Sequence, residues 1–548
     1  MNKNLRILFP TLLALAIAGG ILIGTKIQQR TKPSYSHSSP IFQPDKLSLF
    51  LRLIEKDYVD SINKNQIIEK VIPDILSELD PHTTYIPAKD MQAVSEEMRG
   101  NFSGIGVQFV MQHDTVMIVD VISGGPSKEL GIMAGDRIVK VNDNNIAGIG
   151  MKNDSVVSLL RGKKGTIVHV SVYRPGYTDL FEFDIERGEI PIYSVDVSYM
   201  ITSEIGFIKV NRFAENTHKE FIEGIKKLEN QGAQKLIVDL RGNSGGYLQA
   251  VFQMVDEFLS ANKLIVYTEG KARPRYDYLS TDNGIWKDKD VMVLIDEFSA
   301  SASEIFAGAI QDNDRGLIVG RRSFGKGLVQ EQIPFFDGSA LRLTVARFYT
   351  PSGRCIQKSY SEGLEAYAMD YHNRIVHDEL SEMDSIHFND SLKYYTTSGR
   401  IVYGGGGIMP DFFVPVDTTG YNDFYASVLR KNIVYRFAFD YADKNRKELN
   451  NLDDIWAIDD YLNKVHLFDT LLKEIKEKGI HYTKAEFNES APILKAQLHA
   501  YVCRNILGDW AFYPIIFKID NTVLKAVDLA EKEEWTVKEV AKFDKPKE

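Results

Sequence analysis

Short apolar runs separated by amphipathic segments dominate the middle of the chain. Such runs are typical of strands buried on both faces of a sheet, and they occur at Ile205 to Val210, Lys235 to Leu240, Val291 to Ile295 and Leu317 to Val319. The segments between them repeat apolar residues with helical spacing, at Glu215 to Asn230, at Leu248 to Leu259 and after Ser301. Strands that alternate with helices predict an α/β core with parallel pairing.

A different pattern occupies Asn101 to Arg187, where short strands follow one another with glycine-rich turns between them. The predicted strands are Val107 to Val110, Thr115 to Val121, Asp136 to Val141 and Ile167 to Tyr173, with a helix at Ser155 to Leu160. This succession indicates a separate small β-rich domain.

Helical patterns flank these two regions. Leu47 to Leu79 looks helical, and beyond Asp423 amphipathic helices are predicted around Phe468 to Ile475 and Ile493 to Val502. Glu362 to Ser398 is a charged insertion with little pattern. The C-terminal extension is suited either to dimerisation or to holding an adaptor, and its sequence leaves both roles open.

The N-terminal segment is an apolar run of 18 residues without charge, from Ile7 to Gly24, and basic residues flank it on both sides. A run of that length is just enough to span a bilayer and is long for a signal peptide. Thr31 to Pro44, rich in Ser and Pro, is typical of a flexible linker. We expect a retained membrane anchor, with removal as a signal peptide as the alternative.

A chain of 548 residues is too long for one ordinary domain. The patterns divide it into an anchor or signal, a linker, a helical N-terminal segment, the β-rich domain, the α/β core and a helical extension. The expected boundaries are 1–30, 31–46, 47–100, 101–188, 189–422 and 423–548.

Composition narrows the possible partners and cofactors. A net charge of −10, without a basic patch interleaved with aromatic residues, argues against nucleic acid as the main partner. The two cysteines, Cys355 and Cys503, supply neither a disulfide framework nor a metal cluster. We therefore expect no metal in the site.

Ser301 is the first candidate for chemistry. Glu304 follows it in the S-x-x-E spacing of a capping box, just before the apolar positions of a helix. Unpaired N–H groups and the helix dipole favour negative charge at such a helix start, so a hydroxyl there lies beside a ready oxyanion site. The alternative interpretation is that Ser301 only caps the helix.

Lys326, flanked by Gly325 and Gly327, follows the next predicted strand, which returns the chain to the turn that carries Ser301. A lysine can act as the base for a serine nucleophile once burial lowers its pKa. Gly320 to Lys326 also fits the start of a phosphate-binding loop, but Gly327 stands where that loop needs Ser or Thr. No histidine occurs between His218 and His372, so lysine is the best base in this block.

Ser299 to Gln330 resembles the hallmark block of the C-terminal processing (tail-specific) serine peptidases, S-A-S-A-S-E-I, then Q-D, then F-G-K-G and Q. The resemblance implies Ser301 as nucleophile, Lys326 as general base and Gln330 as the residue that orients the lysine. It also implies an oxyanion hole from a Gly245 or Gly246 amide and the Ala302 amide, no cofactor, and a crotonase/ClpP-like α/β protease core. Gly404 to Asp411 resembles the end of that core.

The β-rich domain resembles a PDZ domain through Ser103 to Val107 and Gly131 to Ile138. N–H groups in its glycine loop would hold a terminal carboxylate while the peptide adds as a strand. The expected peptide-binding residues are Gly104, Ile105, Gly106, Val107, Val157 and Leu160. Arg161 is a further candidate for pairing with a carboxylate, either the substrate's or one across a domain joint. Leu79 to Tyr85 resembles the family's L-D-P-H-S/T-T-Y segment, in which we interpret His82 as structural.

These inferences predict a serine endopeptidase that cleaves exported proteins near their C-termini through an acyl-enzyme. Its partners would be protein substrates, bound by their tails, and the membrane, and a homodimer or adaptor is possible. The expected location is the inner membrane, with a single span and the catalytic part in the periplasm or otherwise outside the cytoplasm. Two alternatives are a noncatalytic membrane-tethered PDZ scaffold on a protease-like fold and a crotonase-like acyl-CoA enzyme.

Overall fold

The computed structural model describes residues 19–20, 45–122, 124–387 and 389–532. The predicted linker and all but two residues of the predicted membrane anchor lie outside the described residues. In the part of the chain that is described, no helix is both long enough and apolar enough to cross a membrane. The chain falls into two compact units, residues 1–71 and residues 72–548.

The helical segment expected over Leu47 to Leu79 consists of two helices. Helix α1 is Lys46–Asp57 and helix α2 is Lys64–Ser77. Asp45 caps α1 by accepting a hydrogen bond from the Ser48 N–H at 2.8 Å. Between the helices, Asn63 accepts a hydrogen bond from the Gln66 N–H at 3.2 Å, a local bond that favours a turn over a continued helix.

Each predicted strand of the β-rich domain is present, and antiparallel pairing joins them. Strand β1 (Thr84–Ile86) and helix α3 (Met91–Arg99) precede the domain. A sheet of order β3-β4-β5-β7-β8 with β6 at its edge carries a core that includes Val116, Ile118 and Val170. The elements of the domain are β2 (Asn101–Gly104), β3 (Val107–Gln112), β4 (Thr115–Val121), α4 (Pro126–Glu129), β5 (Arg137–Val141), β6 (Asn144–Asn145), α5 (Asn153–Leu160), β7 (Ile167–Tyr173), β8 (Phe181–Glu186) and β9 (Gly188–Pro191).

The central sheet confirms the expected α/β core with parallel pairing. Its order is β10-β11-β12-β15-β16-β21, and every pair is parallel except β10 with β11. The elements up to β16 are β10 (Val195–Met200), β11 (Ile205–Val210), α6 (Thr217–Asn230), β12 (Lys235–Asp239), α7 (Leu248–Asp256), β13 (Leu264–Gly270), β14 (Arg273–Leu279), β15 (Asp290–Ile295), α8 (Ala302–Asp312) and β16 (Leu317–Gly320).

A second sheet joins distant parts of the sequence beside the central one. It has the order β1-β18-β13-β14, and β17 also pairs with β18. Its remaining strands are β17 (Leu328–Pro334) and β18 (Ala340–Tyr349). Since β1 follows His82 directly and β17 carries Gln330, this sheet brings the predicted L-D-P-H segment close to the predicted lysine partner.

The charged insertion is ordered where the structure describes it. It contains helix α9 (Leu364–Val376), followed by the hairpin strands β19 (Lys393–Tyr395) and β20 (Ile401–Tyr403). The short strand β21 (Phe412–Phe413) then completes the central sheet. The insertion therefore lies between β18 of the second sheet and β21 of the central sheet.

The helical extension has two parts. Residues 424–515 have their own apolar core, whereas the last helix packs on the central sheet, with Val523, Ala526 and Leu529 against Phe207 and Leu294. The described helices are α10 (Asp423–Arg430), α11 (Ile433–Lys444), α12 (Arg446–Leu449), α13 (Ile455–Lys464), α14 (Leu467–Glu477), α15 (Lys484–Leu507), α16 (Tyr513–Ile516) and α17 (Asn521–Glu531). Its roles in dimerisation or adaptor binding stay predictions, as do the six domain boundaries.

Candidate active site

Ser301 lies at the carboxyl end of strand β15, where the chain turns into helix α8. Its backbone has φ 56° and ψ −112°, a left-handed conformation that is strained for a residue with a side chain. A Cβ added to Gly245 would lie 2.8 Å from the Ser301 Cβ and 3.0 Å from the Ala302 nitrogen. Only glycine therefore fits opposite Ser301, and the glycine loop after β12 is pressed directly against this serine.

Lys326 lies in the loop between β16 and β17, next to Gly325 in a left-handed conformation with φ 91°. Its Nζ donates a hydrogen bond to Gln330 Oε1 at 3.1 Å. Burial lowers the pKa of Lys326, and the nearby Arg342 lowers it further. A Cβ at Gly325 would lie 3.2 Å from the Gly407 nitrogen, so the lysine loop is packed against the Gly404 to Gly407 run.

Glu304 joins the serine turn to the lysine loop. The backbone N–H groups of Ser301 and Lys326 both donate to the same oxygen, Glu304 Oε2, each at 2.8 Å. The other oxygen accepts from Ser323 Oγ at 2.5 Å and from the Gly325 N–H at 2.7 Å. Burial raises the pKa of Glu304 to about 7, against the effect of these donated hydrogen bonds. The sequence indicated Glu304 only as a helix cap and gave no sign of this second role.

The side chains of Ser301 and Lys326 are not hydrogen-bonded to each other among the contacts of the described residues. The two loops do meet through the backbone, because the Phe324 N–H donates to the Ser299 carbonyl at 3.0 Å. The structure thus places the predicted nucleophile and base on adjoining loops without a direct bond between them.

The predicted oxyanion donors fall into two groups. The Gly245 N–H donates to Asn243 Oδ1 at 2.9 Å, so it is already used. Within the described part of the chain, no hydrogen-bond partner is found for the N–H groups of Gly246 and Ala302. Of the two glycines proposed from the sequence, Gly246 is therefore the one with an available donor.

Gln330 contacts a residue that the sequence indicated only as structural. Its Nε2 donates to the backbone carbonyl of His82, and the His82 Nε2 is hydrogen-bonded to the Tyr367 hydroxyl at 2.7 Å. Burial lowers the pKa of His82 to about 4, and the charge of Lys326 adds to this effect. His82 is therefore a neutral neighbour of the lysine near pH 7. Tyr367 belongs to the insertion whose sequence showed little pattern.

The six expected peptide-binding residues line one cavity of the β-rich domain. The cavity has a volume of about 120 Å³ and an apolar lining, formed by Phe102, Gly104, Ile105, Gly106, Val107, Phe109, Val157, Leu160 and Arg161. The guanidinium of Arg161 lies 4.3 Å from the centre of the Phe102 ring and 3.6 Å from a carboxylate oxygen of Glu96. Arg161 thus faces a carboxylate of α3, which precedes the domain in the chain.

These features define the class of protein: an α/β serine peptidase that carries a PDZ domain. The model of peptidase family S41 matches residues 204–365, and that of the PDZ domain matches residues 103–185. A family of unknown function matches residues 424–508, within the helical extension.

Named relatives agree with these matches. The carboxy-terminal processing protease CtpB of Bacillus subtilis (strain 168) is 30% identical over 65% of this chain and 76% of the relative. A carboxy-terminal-processing protease of Bartonella bacilliformis is 34% identical over 56% of this chain and 70% of that protein. Among solved structures, the photosystem II D1 C-terminal processing protease is 27% identical over 55% of this chain and 87% of its own, with a TM-score of 0.32. The chain belongs to the carboxy-terminal processing proteases of peptidase family S41.

Proposed function

We propose that this protein is an endopeptidase of the Ser-Lys type that cleaves exported proteins near their C-termini. The observation that carries the proposal is the pair of bonds by which the Ser301 and Lys326 N–H groups share one oxygen of Glu304, each at 2.8 Å. This sharing holds a serine and a lysine of lowered pKa on adjoining loops. Lys326 is half-buried, and a lysine withdrawn from water in this way is suited to a chemical role.

In the proposed reaction, neutral Lys326 takes the proton of the Ser301 hydroxyl as Oγ attacks the peptide carbonyl. The N–H groups of Gly246 and Ala302 would bind the oxyanion of the tetrahedral intermediate. Lys326 then returns the proton to the departing amine, which leaves an acyl-enzyme ester on Ser301. Water attacks the ester with Lys326 again as base, which releases the acid and restores the serine.

Gln330 is proposed to orient the lysine, since its Oε1 accepts the hydrogen bond from Nζ at 3.1 Å. The missing direct bond between Ser301 and Lys326 is compatible with this mechanism. Catalytic hydrogen bonds are often long in the absence of substrate and tighten in the Michaelis complex.

The PDZ domain is proposed to bind the free C-terminal tail of the substrate. Gly104 to Val107 would offer N–H groups to the terminal carboxylate, and Val157 and Leu160 line the apolar cavity beside them. An apolar last residue fits this lining best.

We further propose that the apolar run Ile7 to Gly24 anchors the protein in the inner membrane, with the catalytic part on the periplasmic side. The length of the apolar run and the basic residues that flank it support an anchor. Extraction of the full chain from membranes by alkaline carbonate would contradict the anchor.

The test of the peptidase is cleavage of an unfolded protein with an apolar C-terminus by the full chain in detergent. Ser301→Ala and Lys326→Ala should each abolish cleavage while leaving thermal unfolding unchanged. The same substrate with an amidated tail should be cleaved more slowly, because it lacks the carboxylate for the glycine loop. Undiminished cleavage by either variant would overturn the Ser-Lys assignment, and complete inactivity of the unaltered enzyme would favour the noncatalytic scaffold.

A further inference from the structure

Helix α9 of the charged insertion packs on the loop that carries Lys326. Arg374, which is only 3% exposed, donates from its guanidinium to the carbonyl oxygens of Arg322, Ser323 and Phe324, at 3.3, 3.0 and 3.2 Å. These three carbonyls belong to the stretch just before the lysine. One arginine thereby fixes the path of the backbone into Lys326.

Tyr367 lies two turns earlier on the same face of α9 and is also buried. Its ring contacts His82 edge-on at 5.5 Å between centroids and Phe324 at 6.0 Å. Its hydroxyl is hydrogen-bonded to His82 Nε2 at 2.7 Å. Tyr367 therefore contacts both the segment before β1 and the loop that carries Lys326.

Gln357 holds the far side of the lysine loop. Its Oε1 accepts the Gly327 N–H at 2.8 Å, and its Nε2 donates to the Lys358 carbonyl at 2.9 Å. Burial lowers the pKa of His82 to about 4, so the ring that meets the Tyr367 hydroxyl is neutral near pH 7.

The remaining bonds lead back to the lysine. The His82 carbonyl accepts from Gln330 Nε2, and a carbonyl can pair only with the NH₂ end of that amide. The Gln330 oxygen is thereby turned toward the Lys326 ammonium, at 3.1 Å. If the Gln330 amide were reversed, its NH₂ would face Lys326 and the hydrogen bond from Nζ would be lost.

A chain of hydrogen bonds thus runs from the Tyr367 hydroxyl through His82 and Gln330 to Lys326 Nζ. We propose that Tyr367 is a positioning residue of the peptidase: by holding His82 it fixes the Gln330 amide in the orientation that receives the catalytic lysine. Arg374 supports the same lysine loop from the next part of α9. This inference rests on the proposed Ser-Lys mechanism and assigns the insertion a part in it.

The test uses Tyr367→Phe in the full chain, which removes one hydroxyl and keeps the buried ring. A hydrogen bond of about 1.4 kcal/mol corresponds to a tenfold change in rate, so kcat should fall about tenfold. KM should stay unchanged, because Tyr367 does not line the PDZ cavity. Tyr371→Phe is the matched control on the same helix, since Tyr371 is 41% exposed and contacts Phe298 rather than His82. It should retain the full kcat.

A double mutant distinguishes a positioning role of Tyr367 from a general contribution to the stability of the fold. In a Gln330→Ala background, Tyr367→Phe should cost less than twofold in kcat, because the residue through which it acts is already absent. An unchanged tenfold loss in that background, or no loss in the parent enzyme, would overturn the proposal. Cleavage that survives Lys326→Ala would instead overturn the underlying mechanism, whatever the coupling.

The pH profile supplies a second readout. Gln330 Oε1 stabilises the charged form of Lys326, so loosening it should move the rising limb of kcat/KM to lower pH. The other charged or titratable groups that act on Lys326 are Arg342, Glu304, Asp80 and His82, and Tyr367→Phe alters none of their charges. If the rising limb of the kcat/KM profile stays in place while kcat falls, Tyr367 does not act through Lys326.

Discussion

The Ser301–Lys326 corner and the PDZ domain are held in place by different kinds of contact. At the corner, buried Glu304 receives four hydrogen bonds, three of them from backbone N–H groups, and glycines allow close approach of the main chain. The PDZ domain meets the helical extension through side-chain pairs such as Arg137 with Asp443, at 2.7 Å. The first arrangement fixes backbone positions, whereas the second depends on a few charged groups near the surface.

This contrast fits the roles proposed for the two regions. A nucleophile and its base must be kept within fractions of an ångström of a productive geometry, and backbone bonds inside a packed core achieve that. A domain that receives tails of varying sequence needs an open apolar groove rather than a fixed partner. Ion pairs with some exposure are weak and screened by salt, so they allow the domain to be released. The following changes test this difference.

The largest effect is expected from Gly245→Ala. The new Cβ would lie 2.8 Å from the Ser301 Cβ and 3.0 Å from the Ala302 nitrogen, where the oxyanion is proposed to bind. We expect kcat to fall about a thousandfold, as when an oxyanion donor is lost. Cleavage of the unfolded substrate measures this.

Gly242→Ala is the matched control for Gly245→Ala. Gly242 also has a positive φ, of 73°, but a Cβ there meets no atom within 4 Å. The control therefore shares the backbone strain and lacks the contact with Ser301. It should lose about 1 kcal/mol of stability and keep most of its kcat. Equal losses of kcat in the two variants would mean that strain, and not occlusion of the site, is responsible.

The next largest expected effect is on the pH dependence of kcat/KM. Burial and then Arg342 lower the pKa of Lys326, and the neutral amine is the proposed base. The value of kcat/KM should therefore rise tenfold per unit of pH and level off below the ordinary lysine pKa of about 10.4. Arg342→Gln removes a nearby positive charge, so the pKa of Lys326 should increase and the rising limb should move to higher pH.

The control for the pH prediction is Arg275→Gln, an exposed arginine that is not among the charges acting on Lys326. Both profiles should be measured at constant ionic strength, since screening also shifts charge effects. A limb that moves equally in both variants, or moves to lower pH in Arg342→Gln, would contradict a direct influence of Arg342 on the lysine.

The parts of the site that the sequence predicted are those that lie close together along the chain. Ser301, Lys326 and Gln330 fall within one block with a recognisable order, and capping and strand patterns place them at a sheet edge. His82 was interpreted as structural, and its contact with Tyr367 was not predicted. The two residues meet 285 positions apart in sequence, through a pairing of β1 with β18 that no local pattern indicates.

Two other features depended on side-chain contacts that periodicity cannot show. Gly245 and Gly246 were equal candidates until the Asn243 side chain was seen to use the first N–H. The amphipathic pattern near the C-terminus predicted helices but not their partners. It therefore did not reveal that α17 returns to the central sheet, with Leu529 against its apolar face.

The smallest effect concerns the attachment of the PDZ domain. Arg137 and Asp443 form an ion pair at 2.7 Å with 23% and 16% of their side chains exposed. Such a pair contributes about 1 kcal/mol, which salt reduces. Arg137→Glu should therefore speed hydrogen exchange in α11 and β5 about fivefold at low salt, while cleavage of a tail-free substrate stays the same.

The exchanged pair, Arg137→Glu with Asp443→Arg, is the control for Arg137→Glu. It restores opposite charges at the same two positions, so exchange in α11 and β5 should return toward the original rate if the ion pair itself holds the domains together. Exchange that remains fast in the exchanged pair would mean that the shape of Arg137, rather than its charge, makes the contact. Exchange that is fast only near Ser301 would reverse the comparison, because it would make the corner the more mobile of the two regions.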